Sequence, residues 1–236
     1  MSLRGRISTP DGKRLYVRWL FGTIADSYDL ITVVLSYGLD RRWKRRLVEL
    51  ANPRPDAQTL DLATGTGDIA FLLQDGGSRV IGLDVTPRMV ELARAKRSGA
   101  GRPSFLVGDM MTLPFADNQF DVVTTGYGLR NVPELTGAID EIFRVLKRGG
   151  QALSLDFSRP TNPVVRSAYL WYLWAVGSAL GWALHRNPDT YRYIPASLRD
   201  YPGAEVLAGV MKARGFRTVT SYRVLGGLMA IHHAVK

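Results

Sequence analysis

From about Thr59 onward, short apolar runs alternate along the chain with stretches that have helical periodicity. A strand that is followed by a helix and a further strand usually returns as a parallel neighbour, with the helices covering both faces of the sheet. The predicted strands span 59–63, 79–84, 104–107, 120–125 and 152–157, and the predicted helices between them span 68–74, 87–96 and 134–147. The pattern therefore predicts a doubly wound α/β fold with a mostly parallel sheet.

Two more strands are predicted at the C-terminal end, over 216–224 and 228–235, after a helix over 204–214. The tight connection at Gly226-Gly227 favours antiparallel pairing of these two strands. The complete prediction is a seven-stranded, Rossmann-like sheet with an antiparallel C-terminal hairpin, which is the arrangement of class I methyltransferases. We predict an N-terminal helical cap over 1–50 and a main domain over 51–236, into which a helical lid is inserted at about 160–200.

The stretch 168–184 carries no charged side chain and contains three Trp and two Tyr. Its length is close to the lower limit of about 17 residues for a membrane span. It lies between two strands of one predicted sheet, however, so that a span would break the domain. We favour a lid helix that covers a hydrophobic substrate or inserts into a lipid interface, because Trp and Tyr rings are stable in contact with both water and lipid. A plain core helix is the alternative.

Basic residues outnumber acidic ones by 31 to 21, which gives a formal net charge of +10, and the densest basic run is 41–46. We favour a solvated helix face for this run, with a buried stripe at helical spacing formed by Leu39, Trp43, Leu47 and Leu50. Contact with an anionic lipid surface is the alternative. The sequence has no cysteine, which excludes disulfides and thiolate chemistry. No apolar stretch follows the basic start, so we expect no secretory signal and a cytoplasmic protein, peripheral at the inner face of the membrane.

The segment 61–68, Asp-Leu-Ala-Thr-Gly-Thr-Gly-Asp, runs from the end of the first predicted strand to the start of the next predicted helix. Gly65 and Gly67 allow the backbone to approach a ligand closely, and the helix that starts next supplies a favourable dipole. With Ala70 the loop also satisfies the dinucleotide pattern, so it does not by itself separate NAD from S-adenosylmethionine. Asp84 ends the second strand, where an acid accepts hydrogen bonds from ribose hydroxyls in either cofactor family.

Three later features favour S-adenosylmethionine. Asp109 follows the third strand, where its carboxylate can bind an adenine amino group while Met110 packs on the ring. The segment 113–121 leads into the fourth strand, and 144–150 closes the next helix. Each feature is weak alone, but their order and spacing are specific.

Nearly the whole chain, from about Phe21 to the end, resembles the ubiquinone/menaquinone biosynthesis C-methyltransferases. The segments that carry this resemblance are 28–29, 35–38, 60–68, 126–132, 156–160, 191–194 with Ser197, and 231–232; the most specific are Gly-Leu-Arg-Asn-Val at 128–132 and Tyr-Arg-Tyr at 191–193. The chain departs from the family pattern at Gly126, Tyr127, Arg148 and Asp156. The resemblance implies a methyltransferase whose S-adenosylmethionine contacts, taken with the loop residues, are Asp61, Gly65, Thr66, Gly67, Asp84, Val85, Asp109, Met110 and Gly126.

The implied substrate is a lipid-linked quinol, either demethylmenaquinol or 2-methoxy-6-polyprenyl-1,4-benzoquinol, that is methylated on a ring carbon. Such a reaction needs a base, or a cation that stabilises the quinolate. Arg130 lies just past the fourth strand and is too basic to accept a proton, so we expect it to stabilise the quinolate. We expect Asn131 to orient a hydroxyl or a water, and Asp156 to serve as the base or to hold a water. For all three, a purely local bracing or capping role is the alternative.

The three histidines, His185, His232 and His233, rank below Asp156 as proton acceptors. No cluster has metal-ligand spacing, so we expect no catalytic metal. Four other functions stay open: methylation of a soluble small molecule, nucleic-acid modification, NAD-dependent oxidation and non-catalytic lipid binding. Nucleic-acid binding is not expected, because the aromatic residues are not interleaved with the basic ones. A homodimer is left open.

Overall fold

The computed structural model of the chain describes residues 7, 9–97, 102–160, 162–187 and 190–236, with the backbone alone at 199 and 200. Its centre is a seven-stranded sheet with the order β3-β2-β1-β4-β5-β7-β6. Only β7 runs antiparallel to its neighbours, β5 and β6. The predicted doubly wound sheet with its antiparallel C-terminal hairpin is confirmed.

The strands are β1 (Gln58–Leu62), β2 (Arg79–Asp84), β3 (Ser104–Val107), β4 (Phe120–Gly126), β5 (Leu146–Phe157), β6 (Thr218–Val224) and β7 (Met229–Val235). The helices are α1 (Pro10–Ile24), α2 (Tyr28–Leu35), α3 (Asp40–Ala51), α4 (Asp68–Asp75), α5 (Pro87–Lys96), α6 (Leu135–Val145), α7 (Pro163–His185), α8 (Tyr193–Asp200) and α9 (Ala204–Ala213). Within the described residues, short 3₁₀ turns lie at Ala25–Ser27, Leu129–Asn131 and Leu225–Gly227.

One predicted boundary is wrong. The helix expected to run to Lys147 ends at Val145, and β5 begins at Leu146. Leu146 is fully buried and pairs in register with Phe120, and a bulge then shifts the register before Gln151 pairs with Val122. Sheet pairing and burial of the leucine outweigh the helical propensity of this segment. The two glycines at 149–150, predicted to stop the helix, lie instead in this irregular start of the strand.

Three apolar clusters hold the elements together. One face of the sheet packs against α6 and α9, and the other packs against α3, α4 and α5. The third cluster joins α1 and α2 to α7 and to the segment 191–198. In α3 the predicted stripe is confirmed, because Trp43 and Leu47 are buried, Leu39 and Leu50 pack beside them, and the arginines at 41, 42, 45 and 46 face solvent.

The uncharged stretch forms the middle of α7, which begins at Pro163 and ends at His185. The side chain of Asn162 starts this helix by accepting hydrogen bonds from the N–H groups of Val164 and Val165. Among the described residues, no helix has the length and apolarity needed to cross a membrane. Helix α7 instead packs one side onto α2 and α8.

Candidate active site

Two cavities adjoin at the carboxyl ends of the parallel strands, the edge where ligands bind in open α/β sheets. The first holds about 710 Å³ of space, partly open to solvent, and its walls come mainly from the loops after β1, β2, β3 and β4. The second holds about 650 Å³ and is enclosed mainly by helices. Phe21, Tyr28 and Tyr127 line both cavities and form the wall between them.

Asp84 organises the first cavity. Its two carboxylate oxygens accept hydrogen bonds from the backbone N–H groups of Gly65 (2.9 Å) and Thr86 (2.8 Å). Burial raises the pKa of this carboxyl, and these backbone donors act in the opposite direction. Thr86 occupies the predicted N-cap position of α5, but its hydroxyl makes no cap hydrogen bond. Asp84 thus joins the glycine loop to the start of α5.

The glycines of the loop are required by geometry. Gly65 and Gly67 both have positive φ, and a Cβ at Gly67 would lie 2.8 Å from the Phe105 ring. A Cβ at Gly126 would lie 2.7 Å from Ile69, and one at Gly128 would overlap the Thr125 hydroxyl. A side chain at Gly67, Gly126 or Gly128 would therefore clash with its neighbours. Gly65, Gly126 and Gly128 line the first cavity, whereas Gly67 lies outside its lining.

Asp61 lies beneath the loop and outside the cavity lining. The carboxylate accepts hydrogen bonds from the hydroxyls of Thr64 (2.7 Å) and Thr124 (2.8 Å). Burial raises its pKa to about 6, even though both hydroxyls favour the charged form. In this position Asp61 braces the loop from below.

Thr66 also lies off the cavity lining. Its hydroxyl donates to Asp29 (2.6 Å) and accepts from Lys96 (3.1 Å), which in turn pairs with Asp68 (2.7 Å). The pKa of Asp68 is lowered to about 2: burial alone would raise it, but Lys44 and Lys96 outweigh burial. The Thr66 side chain thus ties the glycine loop to α2 and α5.

Asp109, Met110 and Val85, three of the residues that the sequence analysis proposes as cofactor contacts, line the first cavity. One Asp109 oxygen accepts from the N–H of Met111 (2.9 Å), and the other lies 3.3 Å from the guanidinium of Arg14. Since Arg14 belongs to α1, the N-terminal helix closes over this side of the cavity. The sequence patterns gave no indication of this contact.

The second cavity is walled almost entirely by apolar and aromatic side chains. They come from α1, α2, α3, α7, the turn after β4, the end of β5 and the segment 190–194. The tyrosines among them are neutral, because burial raises the pKa of Tyr28 to about 12 and also raises the pKa of Tyr127, Tyr169, Tyr191 and Tyr193. The one charged side chain among its described lining residues is Arg130.

Arg130 is buried and held from several sides. Its guanidinium donates to the Ser197 hydroxyl (2.9 Å), stands 4.8 Å over the Phe157 ring and lies 3.5 Å from an Asp156 oxygen. Asp156 also accepts from the backbone N–H groups of Arg130 and Phe157. Burial raises the pKa of Asp156, although Arg130 acts to lower it. The Asp156 carboxylate is 1% exposed and lies behind Arg130, outside the lining of both cavities.

Asn131 lies next to Arg130 but faces the first cavity. Its amide donates to the carbonyl of Tyr127 (2.8 Å), and its oxygen accepts from the Tyr193 hydroxyl (3.1 Å). Tyr127 has φ +60, a strained conformation for an aromatic residue, and its hydroxyl donates to Asp40 (2.7 Å). These contacts fix the wall between the two cavities.

The histidines lie away from both cavity linings. His185 contacts the Tyr191 hydroxyl at the end of α7, and His232 and His233 lie in β7. In the described part of the chain, no group of three acidic or histidine side chains is arranged to hold a metal ion.

The lining residues that sequence patterns missed are mostly aromatic side chains of the N-terminal helices and of α7. They are Phe21, Tyr28, Trp43 and Tyr169, with Arg14 and Ser197 as polar supports. Tyr28 and Ser197 fall within segments that carry the family resemblance, which was the only available signal for them.

Comparison with known proteins gives a consistent result. A family model described as the ubiE/COQ5 methyltransferase family matches residues 9–236. The ubiquinone/menaquinone biosynthesis C-methyltransferase UbiE of Ectopseudomonas mendocina is 38% identical over 224 residues, which cover 92% of this chain and 87% of that protein. A demethylmenaquinone methyltransferase of Roseiflexus sp. is 38% identical over 232 residues and 96% of both chains. A solved Thermotoga maritima methyltransferase shares the fold, with a TM-score of 0.66 at 18% identity over 93% of this chain and 99% of that one.

Proposed function

Because this chain belongs to the ubiE/COQ5 methyltransferase family and is an S-adenosylmethionine-dependent methyltransferase, we propose that it methylates a ring carbon of a polyprenylated quinol. Demethylmenaquinol and 2-methoxy-6-polyprenyl-1,4-benzoquinol are the candidate acceptors, in line with the names of its relatives. The observation that carries the proposal is the aromatic second cavity, which shares the wall Phe21, Tyr28 and Tyr127 with the first.

The first cavity fits S-adenosylmethionine. Gly65, Gly108, Gly126 and Gly128 line it with backbone that carries no side chain. Asp84 would hold the ribose, Asp109 and Met110 would hold the adenine, and Val85 and the backbone of Gly65 and Gly126 would complete the walls. Gly67 lies outside the lining, at the start of α4. Asp61 and the Thr66 side chain would support the loop from outside the cavity.

When bound, the cofactor supplies an electrophilic methyl group on a sulfonium. The chain's own contribution is to orient the acceptor, exclude water and stabilise the charge that develops on the acceptor. Arg130 is suited to the last task, since its fixed positive charge faces the aromatic cavity in a region of low dielectric. Asn131 would orient an acceptor hydroxyl or a water on the cofactor side. Asp156 would hold Arg130 in position, and its carboxylate, which lies behind Arg130, is the group to which we propose that a proton passes.

Helix α7 supports a role at a lipid surface. Its outward side is uncharged, with Trp171, Trp174 and Trp182 exposed at 68%, 47% and 69%. An apolar face of this kind is unusual for a surface helix in water, and tryptophan is the side chain favoured at a membrane interface. We propose that residues 1–50 act as a cap and about 160–200 as a lid, and that α7 lies on the inner face of the membrane. Basic residues of α3 would face the anionic headgroups.

The proposed activity is tested by product analysis. The enzyme is incubated with S-adenosylmethionine and each reduced quinol, and the product is read by mass spectrometry and NMR. The expected result is one additional methyl group on a ring carbon of at least one quinol. No product from either quinol, while the cofactor binds, would refute the proposal in favour of a soluble acceptor.

The membrane role is tested by flotation with vesicles that contain anionic lipid. Trp171→Ala with Trp182→Ala is expected to abolish co-flotation, because both rings lie on the exposed side of α7. The matched control is Tyr222→Ala, an aromatic residue on the edge strand β6. Unchanged flotation of the double variant would refute the membrane role of α7. If the wild type were a homodimer and the double variant a monomer, the exposed face of α7 would be assigned to self-association.

A further inference from the structure

Methylation of a ring carbon, the reaction proposed for this enzyme, leaves one proton to be removed. One C–C bond forms, the sulfur–methyl bond breaks with its electron pair left on sulfur, and the displaced hydrogen departs as a proton. The described residues that line the aromatic cavity offer no acceptor for it. Arginine stays protonated, and the neutral tyrosines are very weak acids that do not take up a further proton.

A row of buried polar side chains crosses the sheet behind this cavity. Thr125 of β4 pairs in register with Ser154 of β5, Ser154 pairs with His232 of β7, and His232 pairs with Ser221 of the edge strand β6. Residues paired in register point to the same face of a sheet. The four side chains therefore form one line from the centre of the sheet to its edge.

Unpaired polar atoms concentrate along this row. Seven buried side-chain N or O atoms in the described part of the chain have no hydrogen-bond partner. Three of them lie on this row, Thr125 Oγ1, Ser154 Oγ and His232 Nδ1, and a fourth is the hydroxyl of Tyr201. Dry burial of four such atoms would cost a large fraction of the stability of a domain, so buried polar groups of this kind are normally satisfied by ordered water.

The row adjoins the Arg130–Asp156 pair at Ser154 and approaches solvent at Ser221. Asp156 lies two residues beyond Ser154 on the same face of β5 and pairs with Arg130. Tyr201 is near enough to this ion pair for both charges to act on the pKa of its hydroxyl. Toward the sheet edge, His232 contacts the carbonyl of Ala204, and Ser221 is only half-buried.

We propose that Thr125, Ser154, Tyr201 and His232 line an internal water site that carries the reaction's proton from Asp156 to solvent at the sheet edge near Ser221. This role rests on the proposed function, because only a ring-carbon methylation releases the proton in question. Hydrogen-bonded water carries the proton past the guanidinium of Arg130, which stays protonated, to the Asp156 carboxylate. From there the proton moves along further water and hydroxyl groups. The lining residues do not touch the acceptor and act through Asp156.

The test uses substitutions that keep shape but remove hydroxyls: Thr125→Val, Ser154→Ala, and the two together. In the double variant kcat is expected to fall at least about 10-fold, with the acceptor KM and cofactor Kd nearly unchanged. This is less than the roughly 100-fold or more of a direct general acid or base, because these residues act through Asp156. Thr125→Ser, unlike Thr125→Val, keeps a hydroxyl at this position and is expected to turn over like the wild type. Ser78→Ala is the control. Ser78 Oγ is also buried and unpaired, but Ser78 lies just before the first residue of β2, away from the strand ends that border the two cavities.

A high-resolution crystal structure supplies a readout that needs no acceptor. Ordered waters bonded to Thr125, Ser154 and His232 are expected. A dry row, or a double variant that turns over like the wild type, would overturn the proposal. If the wild type methylated neither quinol, the proposed function would fail. The water site would then be judged by the crystal structure alone, where waters support it and a dry row overturns it.

Discussion

The two cavities of this enzyme are built in opposite ways. The first is formed by short loops at the ends of neighbouring strands, and its key contacts are backbone N–H groups held by Asp84. The second is assembled from side chains of helices that lie far apart in the chain, from Leu20 to Ile194. A strand-end site is rigid because the sheet fixes its backbone, whereas a helix-walled site depends on how the helices pack. The difference indicates that cofactor binding and acceptor binding can be disturbed separately.

The largest expected effect is the loss of cofactor binding in Asp84→Ala. The substitution removes the proposed ribose contact and releases the N–H groups of Gly65 and Thr86. We expect affinity for S-adenosylmethionine to fall by at least about 1,000-fold, roughly 4 kcal/mol. Calorimetry measures this directly, and Asp56→Ala on the surface is the control. Unchanged affinity for S-adenosylmethionine would show that Asp84 is not part of the cofactor site.

Arg130→Ala is expected to lower turnover and to leave cofactor binding intact. Cofactor affinity should be preserved, while kcat falls by about 10² to 10³, the usual effect of removing one charge-stabilising donor. The variant also leaves Asp156 buried without its cation, so stability is expected to drop. Arg130→Lys keeps the charge and separates the two effects. Normal turnover of Arg130→Ala would contradict the role of Arg130 in stabilising the acceptor anion.

Asp61→Asn tests how the first cavity is supported. The pKa of Asp61 is raised by burial to about 6 in the folded protein, so the folded state favours its protonated form. Its contribution to stability is complete below about pH 4 and is lost as the pH rises through 6, a change of roughly 3 kcal/mol. Asparagine cannot ionise, so the variant is expected to gain stability relative to wild type between pH 4 and 7.

Urea unfolding across this pH range measures the gain. Asp68→Asn serves as the contrast: Asp68 has a pKa lowered to about 2, so its stabilising contribution is present above about pH 4 and is lost as the pH falls toward 2. A stability difference between Asp61→Asn and wild type that did not vary with pH would show that Asp61 is not a buried carboxyl with a raised pKa.

The smallest expected effect is that of Tyr127→Phe in the wall between the cavities. The ring stays, but the hydrogen bond to Asp40 is lost, which is expected to cost about 1–2 kcal/mol of stability. Asp40 keeps its partner Lys44 at 2.6 Å. Because the wall borders both cavities, the cofactor Kd and the acceptor KM are both expected to rise slightly. A change in only one of them would indicate that the wall belongs to a single cavity.

The sequence predicted residues of the first cavity better than residues of the second. Strand alternation predicted the sheet and its hairpin, because these features are local in the chain. The glycine loop and the family resemblance together predicted six residues that line the first cavity: Gly65, Asp84, Val85, Asp109, Met110 and Gly126. The direction of each side chain was not predictable, and the hydroxyl of Thr66 turns toward Asp29 and Lys96. Asp156 was expected at the reacting atoms, but it lies behind Arg130.

The lining of the second cavity could not be predicted from sequence patterns, because its walls depend on packing between segments that are far apart in the chain. Phe21 and Tyr169 are separated by almost 150 positions, and no spacing rule connects them. Helix α7 was expected as a lid from its lack of charge, and the structure adds which side is buried: Tyr169, Leu173, Gly177 and Gly181, at intervals of four residues. Its exposed tryptophans then follow on the opposite side.

The most direct test is a crystal structure with S-adenosylhomocysteine and a short-chain quinol analogue bound together. The adenosine is expected against Asp84 and Asp109, and the quinol ring is expected beyond Tyr28 and Tyr127 with an oxygen facing Arg130. A quinol ring bound anywhere outside the aromatic cavity, with the adenosine in its expected position, would contradict the division of the site into these two cavities.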